Sequence, residues 1–422
     1  MFEFFHKESG EEHLKLLVYE HISGGGFGDD QIPKNVLCEG FGMLRSLIAD
    51  FKAAGHSVTT TLDLRISRLN PPLKADFIIS VSSPQEVKEK FLETLSQVDA
   101  AYIIAPETDN VLGSLVEFVE HAGATLLNCP AKVIEKVSNK IAFRESLKRN
   151  GIRVPRTLTF NIQDSTEEMG QIIRDKVNFP VIFKPSNGIG CCGLSVVRNK
   201  EQVSAAVHKI QNETAGKEFL VEELIKGTAA SVSLFSIDGK SIPASLNHQE
   251  VAIETPKVAS SYIGGSVPLD NALRKEAFDM AKRIAELFPG LRGYTGIDFV
   301  LAEGKAVAIE ANPRLTTSYI GLRRVIHFNP AQAIINAVLE RKLPPLAQSC
   351  GYAFFSKVTT AYADIDTLQI VYQMKEVLSP PFPLSGDEAA YAMITSYAST
   401  LSEAKLRFNQ ARKRLKTITN RG

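Results

Sequence analysis

The sequence predicts an α/β protein: a doubly wound parallel sheet at the N-terminus, followed by smaller α+β modules. Three observations carry this. Apolar strand runs alternate with helical patterns over the first 130 residues. The strand FPVIFKP is followed directly by the glycine-rich loop SNGIGCCG. Further on, YTGIDFVLAEGKAVAIEANPRLTTS, Tyr294 to Ser318, has two apolar runs around a turn.

In the first segment, Leu14–Tyr19, Ser57–Leu62, Ala75–Val81, Ala100–Ala105 and Ala124–Leu127 read as strands. Helical stretches lie between them at Val36–Ala54, Pro84–Leu95 and Val111–Ala122, with Gly55 and Gly123 at helix ends. The loop SGGGFGDD follows the first strand but lacks the third glycine of a dinucleotide fingerprint, because Gln31 stands three residues after Gly28. It reads as a substrate-facing turn. Ligands of open sheets sit beyond the C-terminal strand ends, so Gly24–Gly28, Asp63 and Glu107 are candidates there; Asp63 also reads as a turn residue. Lys132–Asn150 is one helical stretch, broken by GIRVPRT.

A second unit holds FPVIFKP, the glycine loop, LSVV, a helix near Glu201–Gln211 and the strand EFLVEELI. A third holds the amphipathic helix Asn271–Leu287 and the hairpin. The expected domains are 1–130, 131–231, 232–342 and a C-terminal extension, 343–422, packed on the core. That extension ends in a helix with Thr400 and Glu403 at capping-box spacing and the basic run ARKRLK, a solvated helix face.

In the hairpin, Gly296–Leu301 and Ala306–Ile309 flank Ala302-Glu303-Gly304-Lys305. A three-residue loop centred on Gly304 sets Asp298 opposite Glu310, and side-chain alternation puts Asn312 on the same face. Three oxygen ligands on one face suit a hard cation such as Mg²⁺, with Arg314 just past the strand end. Alone, the pattern is equally that of a polar face meeting solvent.

The net charge of +1 over 422 residues gives no electrostatic case for nucleic acid or an anionic membrane. No apolar run approaches the roughly 20 residues of a membrane span, and the acidic N-terminus is not a secretory signal. Five cysteines without CxxC spacing fit a reduced cytoplasm and give no zinc site.

Lys184 precedes a loop rich enough in glycine to fold over polyphosphate. Alone, that loop is also an ordinary β-turn, Lys140 in SNK a surface lysine, and Glu222-Glu223 a solvated edge. Taken in order with Asp298 and Glu-x-Asn-x-Arg, they resemble the ATP-grasp superfamily over Lys132–Leu339. The resemblance implies an ATP-grasp fold with a Rossmann-like pre-ATP-grasp domain, a small lid and a central metal-binding domain. It implies that Lys140 and Lys184 contact ATP phosphates, and that the loop with Ser186, Gly188, Gly190 and Gly193 covers them. Glu222, Glu223 and the backbone near Ile225 would form the adenine hinge. Asp298, Glu310 and Asn312 would hold one or two Mg²⁺ (or Mn²⁺), and Arg314 would steady the phosphoryl group. Members commonly carry a ribose-binding glutamate where this chain has Ala229.

The stretches LLVYEHISGGG, LCEGFGML, LNHQEV, SYIGGSVP and ANPRLTTSYIGL look like one branch, the tyramine–glutamate ligases of methanofuran biosynthesis. That likeness implies small-molecule substrates, the γ-carboxylate of glutamate and an amine, near Asn247, Gln249, Gly264, Gly265, Thr316, Thr317, Ser318 and Tyr319. Asn247 and Gln249 equally suit a solvated strand, and Thr316–Ser318 a helix cap. His248 and Lys257 are further candidate ligands of an acidic substrate. The expectation is a cytoplasmic ATP-dependent ligase, with a homodimer as its candidate assembly; a biotin-carboxylase-like or carbamoyl-phosphate-type enzyme and a nucleotide-binding regulator are the alternatives.

Overall fold

A computed structural model of the chain describes residues 13–186, 190–384 and 389–420. Its first sheet contains β1 (Lys15–Glu20), β2 (Ser57–Asp63), β3 (Phe77–Val81), β4 (Ala100–Ile104) and β5 (Thr125–Leu126), in the order β3-β2-β1-β4-β5. Every pair in it is parallel. Alternate residues of β1 enter different cores: Leu16 and Val18 pack with the helix Lys34–Ala53, while Leu17 and Tyr19 pack with the helices Pro84–Leu95 and Val111–Ala122. The strand order reverses between β1 and β4, so the ligand-accepting crevice of this sheet opens past Glu20 and Ile104.

The expected single helix over Lys132–Asn150 is two, Ala131–Ser138 and Lys140–Arg149. The break is at Asn139, whose ψ of 95° is extended and whose side chain accepts from the Ala142 N–H at 2.9 Å. An asparagine in this role satisfies one of the orphan N–H groups of a helix start. Lys140 therefore begins a helix.

The second sheet is antiparallel: β6 (Thr157–Asn161), β9 (Glu218–Glu223), β7 (Val181–Pro185) and β8 (Ser195–Val197), in that order. Val181, Phe183, Phe219 and Val221 turn to a core shared with the helices Thr166–Lys176 and Val203–Glu213. Period two then sends Ile182, Lys184 and Glu222 to the other face, towards a cavity.

The third sheet has eight strands, β14-β13-β10-β11-β12-β15-β17-β16. They are β10 (Thr228–Ile237), β11 (Lys240–Ala252), β12 (Ser261–Val267), β13 (Gly293–Ala302), β14 (Lys305–Asn312), β15 (Tyr352–Ala361), β16 (Val377–Ser379) and β17 (Ala389–Ala398). β10 begins at Thr228, so residues on both sides of position 231 belong to one strand of this sheet. The C-terminal strands continue the same sheet, through antiparallel pairing of β15 with β12. The last helix, Leu401–Thr419, packs on them, with Thr400 accepting from the Glu403 N–H as its spacing predicts. All five cysteines are free thiols. Among the described residues no helix is long and apolar enough to cross a membrane.

Candidate active site

The β13–β14 hairpin pairs Asp298 with Glu310 and Gly296 with Asn312, as the sequence predicts, but by another route. The turn is tighter than a three-residue loop: Ala302 pairs directly with Lys305 around Glu303-Gly304, with Gly304 at φ +71°. A regular ladder from that turn would set Asp298 opposite Ile309 and send Glu310 to the far face. A bulge between Phe299 and Asp298 absorbs Ile309 and restores the pairing.

This face lines a cavity of about 360 Å³ where the three sheets meet. Lys184 Nζ lies 2.6 Å from Glu310 Oε2. Burial opposes the lysine's charge, but Glu310 and Glu222 outweigh it and hold the ammonium protonated. Asp298 accepts from Gln249 Nε2 at 3.0 Å and from Asn312 Nδ2 at 3.1 Å. Burial and then the Glu310 charge push the Asp298 carboxyl up. Burial works the same way on Glu310, yet Lys184 and Lys140 prevail and hold it down. Burial also raises Glu222, against the pull of Lys184.

Such a face is short of positive charge at Asp298, and its donors suit a hard cation. Asn312 spends its amide N–H on Asp298, which leaves its carbonyl oxygen beside two carboxylates. Among the described residues no three His, Cys, Asp or Glu side chains converge as a metal cage. Two carboxylates and an amide match the sparse protein ligation of Mg²⁺ whose other ligands are water and phosphate.

Arg314 reaches across to the parallel sheet, where its Nη2 donates to Glu107 Oε2 at 2.9 Å. Both side chains are largely buried, and Glu107 Oε1 and Arg314 Nε have no hydrogen-bond partner. Burial would strip the guanidinium of its charge, but Glu107 keeps it firmly charged. Glu107 lies just past β4, at the crevice that the strand order predicts.

The cavity gathers Lys140, Lys184, Ser186, Gly190, Glu222, Glu223 and Ile225 from the smaller sheet and its flanks, with Ala229 beside them. It also gathers Asp298, Glu310, Asn312, Arg314, Gln249, Thr316, Thr317 and Ser318. Ser186 Oγ donates to the Glu218 carbonyl at 2.7 Å, and Glu223 accepts from the Arg156 backbone and guanidinium. Other candidates lie elsewhere. Gly193 is outside the lining; its N–H donates to Glu213 at 2.6 Å. Asn247 is wholly buried beneath the face, donating to Ser231 and Ser233. Gly264 and Gly265 lie in β12 between β11 and β15, where a Cβ on Gly264 would come within 2.2 Å of the Phe355 carbonyl oxygen and one on Gly265 within 2.2 Å of the His248 carbonyl oxygen. Tyr319 is fully buried and donates to Asp50 at 2.8 Å. Asp63 caps the short helix Leu64–Ser67 and pairs with Arg65, and Gly24–Gly28 pack on their own sheet and loops. Neither His248 nor Lys257 is among the lining residues. Gly188 lies outside the described residues.

Sequence reasoning missed Glu39, Tyr262 and Cys191 in the lining, and Lys357 behind Glu39. The available signal was a lone acid within the apolar helix stretch LCEGFGML and a lone lysine in the strand AFFSKVTTA.

A nucleotide-sized cavity between a lysine-bearing sheet with a glycine loop and an Asp/Glu/Asn hairpin defines a class. Residues 137–318 match the ATP-grasp domain and residues 56–134 the pre ATP-grasp 3 domain. The chain belongs to the ATP-grasp superfamily, and it is an ATP-dependent carbon–nitrogen ligase. Among its relatives is the tyramine–L-glutamate ligase of Methanocaldococcus jannaschii, 26% identical over 322 residues, 73% of this chain and 84% of the relative. The L-amino acid ligase of Bacillus licheniformis shares the fold at TM-score 0.64 and 14% identity, covering 96% of this chain and 98% of that one. So does the biotin carboxylase domain of the Hydrogenobacter thermophilus 2-oxoglutarate carboxylase, in complex with MgADP, ADP and bicarbonate. Its TM-score is 0.70 at 15% identity, covering 95% of this chain and 90% of that domain.

Proposed function

We propose that the protein joins the γ-carboxylate of L-glutamate to the amine of tyramine, or of a tyrosine-like analogue, at the expense of ATP. The reading is that of a step in methanofuran-type cofactor assembly. One observation carries it: a single cavity sets Lys140, Lys184 and Glu222 against Asp298, Glu310, Asn312 and Arg314. The name of the relative from M. jannaschii supplies the substrates.

A carboxylate is a poor electrophile, so an oxygen of the substrate carboxylate first attacks the γ-phosphorus of ATP. The bond to the ADP oxygen breaks, leaving an acyl phosphate. The amine nitrogen then attacks the acyl carbon, inorganic phosphate departs with its oxygen, and the nitrogen loses a proton. Lys140 and Lys184 neutralise phosphate charge, and Arg314 stands where the transferring group would lie. One or two Mg²⁺ on Asp298, Glu310 and Asn312 would neutralise the charge that develops on the phosphoryl oxygens. Glu222, Glu223 and the Ile225 backbone serve the adenine. The small sheet with its loop serves as a lid that keeps water from the acyl phosphate.

The test is ADP release with L-glutamate, with and without tyramine. ADP that appears only when both are present supports the ligase reading. ADP formed with bicarbonate alone would make the protein a carboxylating enzyme, and ATP binding without turnover a regulator.

A further inference from the structure

Facing the metal-suited hairpin across the cavity is a second buried ion pair that the nucleotide chemistry leaves unused. Lys357 Nζ, on β15, donates to Glu39 Oε1 at 2.7 Å, and Glu39 lies on the helix Lys34–Ala53. The other oxygen, Glu39 Oε2, accepts from Thr317 Oγ1 at 3.1 Å. Only 16% of the Glu39 side chain and 12% of Lys357 is exposed. Glu39 and Thr317 line the cavity. The Glu39 charge reaches Tyr262 together with that of Asp298, and Cys191 together with that of Glu310, so both acidic clusters border one space. Gly264 lets β15 close onto β12 at the Phe355 carbonyl, and on β15 Lys357 stands directly behind Glu39.

We propose that Glu39 and Lys357 recognise the α-amino and α-carboxylate groups of a zwitterionic amino-acid substrate. The ammonium goes to Glu39, and the carboxylate goes to the Thr317 hydroxyl and to Lys357, which stands behind Glu39 and is reached when the Glu39–Lys357 pair opens. Two buried charges of opposite sign satisfy each other while the cavity is empty, because either one alone would be costly. A ligand that carries the same two charges replaces each partner with another. A ligand with only one strands the second protein charge, which a buried site rejects strongly. The inference rests on the ligase reading above and adds to it the choice of carboxylate. With the α-carboxylate held by Lys357, the side-chain carboxylate is the one left to extend towards Asp298 and Glu310.

The test uses the full chain, its Glu39→Gln and Lys357→Gln variants, ATP and tyramine, with ATP binding by titration as the check on folding. ADP release is followed with L-glutamate, with glutarate (no amino group) and with 4-aminobutyrate (no α-carboxylate). The parent is expected to prefer L-glutamate to both. Lys357→Gln should lose at least about tenfold in kcat/KM on L-glutamate and little on 4-aminobutyrate. Glu39→Gln should lose as much on L-glutamate and little on glutarate. Equal losses on all three compounds, or unchanged preference, overturn the inference while the ligase reading stands. Where a neutral variant fails to bind ATP, Lys357→Arg and Glu39→Asp replace it; their retention of the L-glutamate preference supports the inference, and its loss overturns it. No ADP from the parent with any of the three overturns both readings.

Discussion

Replacing Glu310 with alanine removes a full charge from the centre of the site, and the structure sets the size of the effect. Glu310 is the carboxylate 2.6 Å from the Lys184 ammonium, and 29% of its side chain is exposed. Breaking a fully buried pair costs about 3–5 kcal/mol, because the surviving charge is stranded. Here Glu222 still faces Lys184 and solvent reaches part of Glu310, which reduces the expected loss to about 1–3 kcal/mol. Turnover should fall much further. An electrostatic group aimed at charge that develops during reaction contributes about 10²–10³ in kcat, and Glu310 is one of only two carboxylates on the metal-suited face. ATP binding should weaken less than about tenfold, since Lys140, Lys184 and the hinge residues remain. Asp298, freed of a neighbouring negative charge, should titrate lower than in the parent. The assay is ADP release at a series of Mg²⁺ concentrations, beside urea unfolding. The Glu310 variant should require at least about tenfold more Mg²⁺ for half its maximal rate. Turnover within about threefold of the parent at saturating Mg²⁺ refutes the metal assignment.

Gly304→Ala should destabilise the protein by about 1 kcal/mol in urea unfolding and leave turnover intact, since φ is +71° and nothing lies within 4 Å of the added Cβ. Tyr319→Phe should cost about 1–2 kcal/mol by removing a buried hydrogen bond to Asp50, with each substrate KM within about threefold of the parent. A KM rise on L-glutamate beyond that would place Tyr319 in contact with substrate. Burial pushes the His21 imidazole down to about 4 from the ordinary 6.5. In that window the unfolded chain takes up a proton that the folded chain refuses. Stability is therefore fully present above pH 6.5 and declines as pH falls to about 4, by roughly 3 kcal/mol from this group. His21→Gln should flatten the corresponding part of the pH–stability curve measured by urea midpoints, and an unchanged slope would contradict the assignment.

Much of the architecture was legible because it follows from period and punctuation. The βα alternation gave the parallel sheet, and period two along FPVIFKP put Lys184 on the cavity face. The hairpin partners were also readable, but not the path between them. Glu303-Gly304 serves a two-residue turn as readily as a longer loop centred on Gly304, and a bulge at Ile309 carries no local signal. The break at Asn139 in the helix over Lys132–Asn150 was not readable, because a cap and a tolerated interior asparagine look alike in sequence. Tyr319 sits next to Ser318 in the chain, yet the helical turn starting there points it at Asp50 while Ser318 meets the cavity. Glu39 and Lys357 are 318 positions apart, on a helix and a strand, and neither position names the other.

The order of the eight-stranded sheet also bears on how the chain is made. β12 ends at Val267, but its outer neighbour β15 starts only at Tyr352, so a ribosome releases an unfinished edge. For the seconds needed to synthesise residues 268–351, at roughly 5–20 residues per second, the N–H and C=O groups along that edge have no strand to pair with. Such an edge is a template for another chain. The nascent protein is therefore exposed to intermolecular pairing late in translation, above all after Asn312, when its parallel sheet, its small antiparallel sheet and the β13–β14 hairpin have been made and only β15, β16 and β17 are missing.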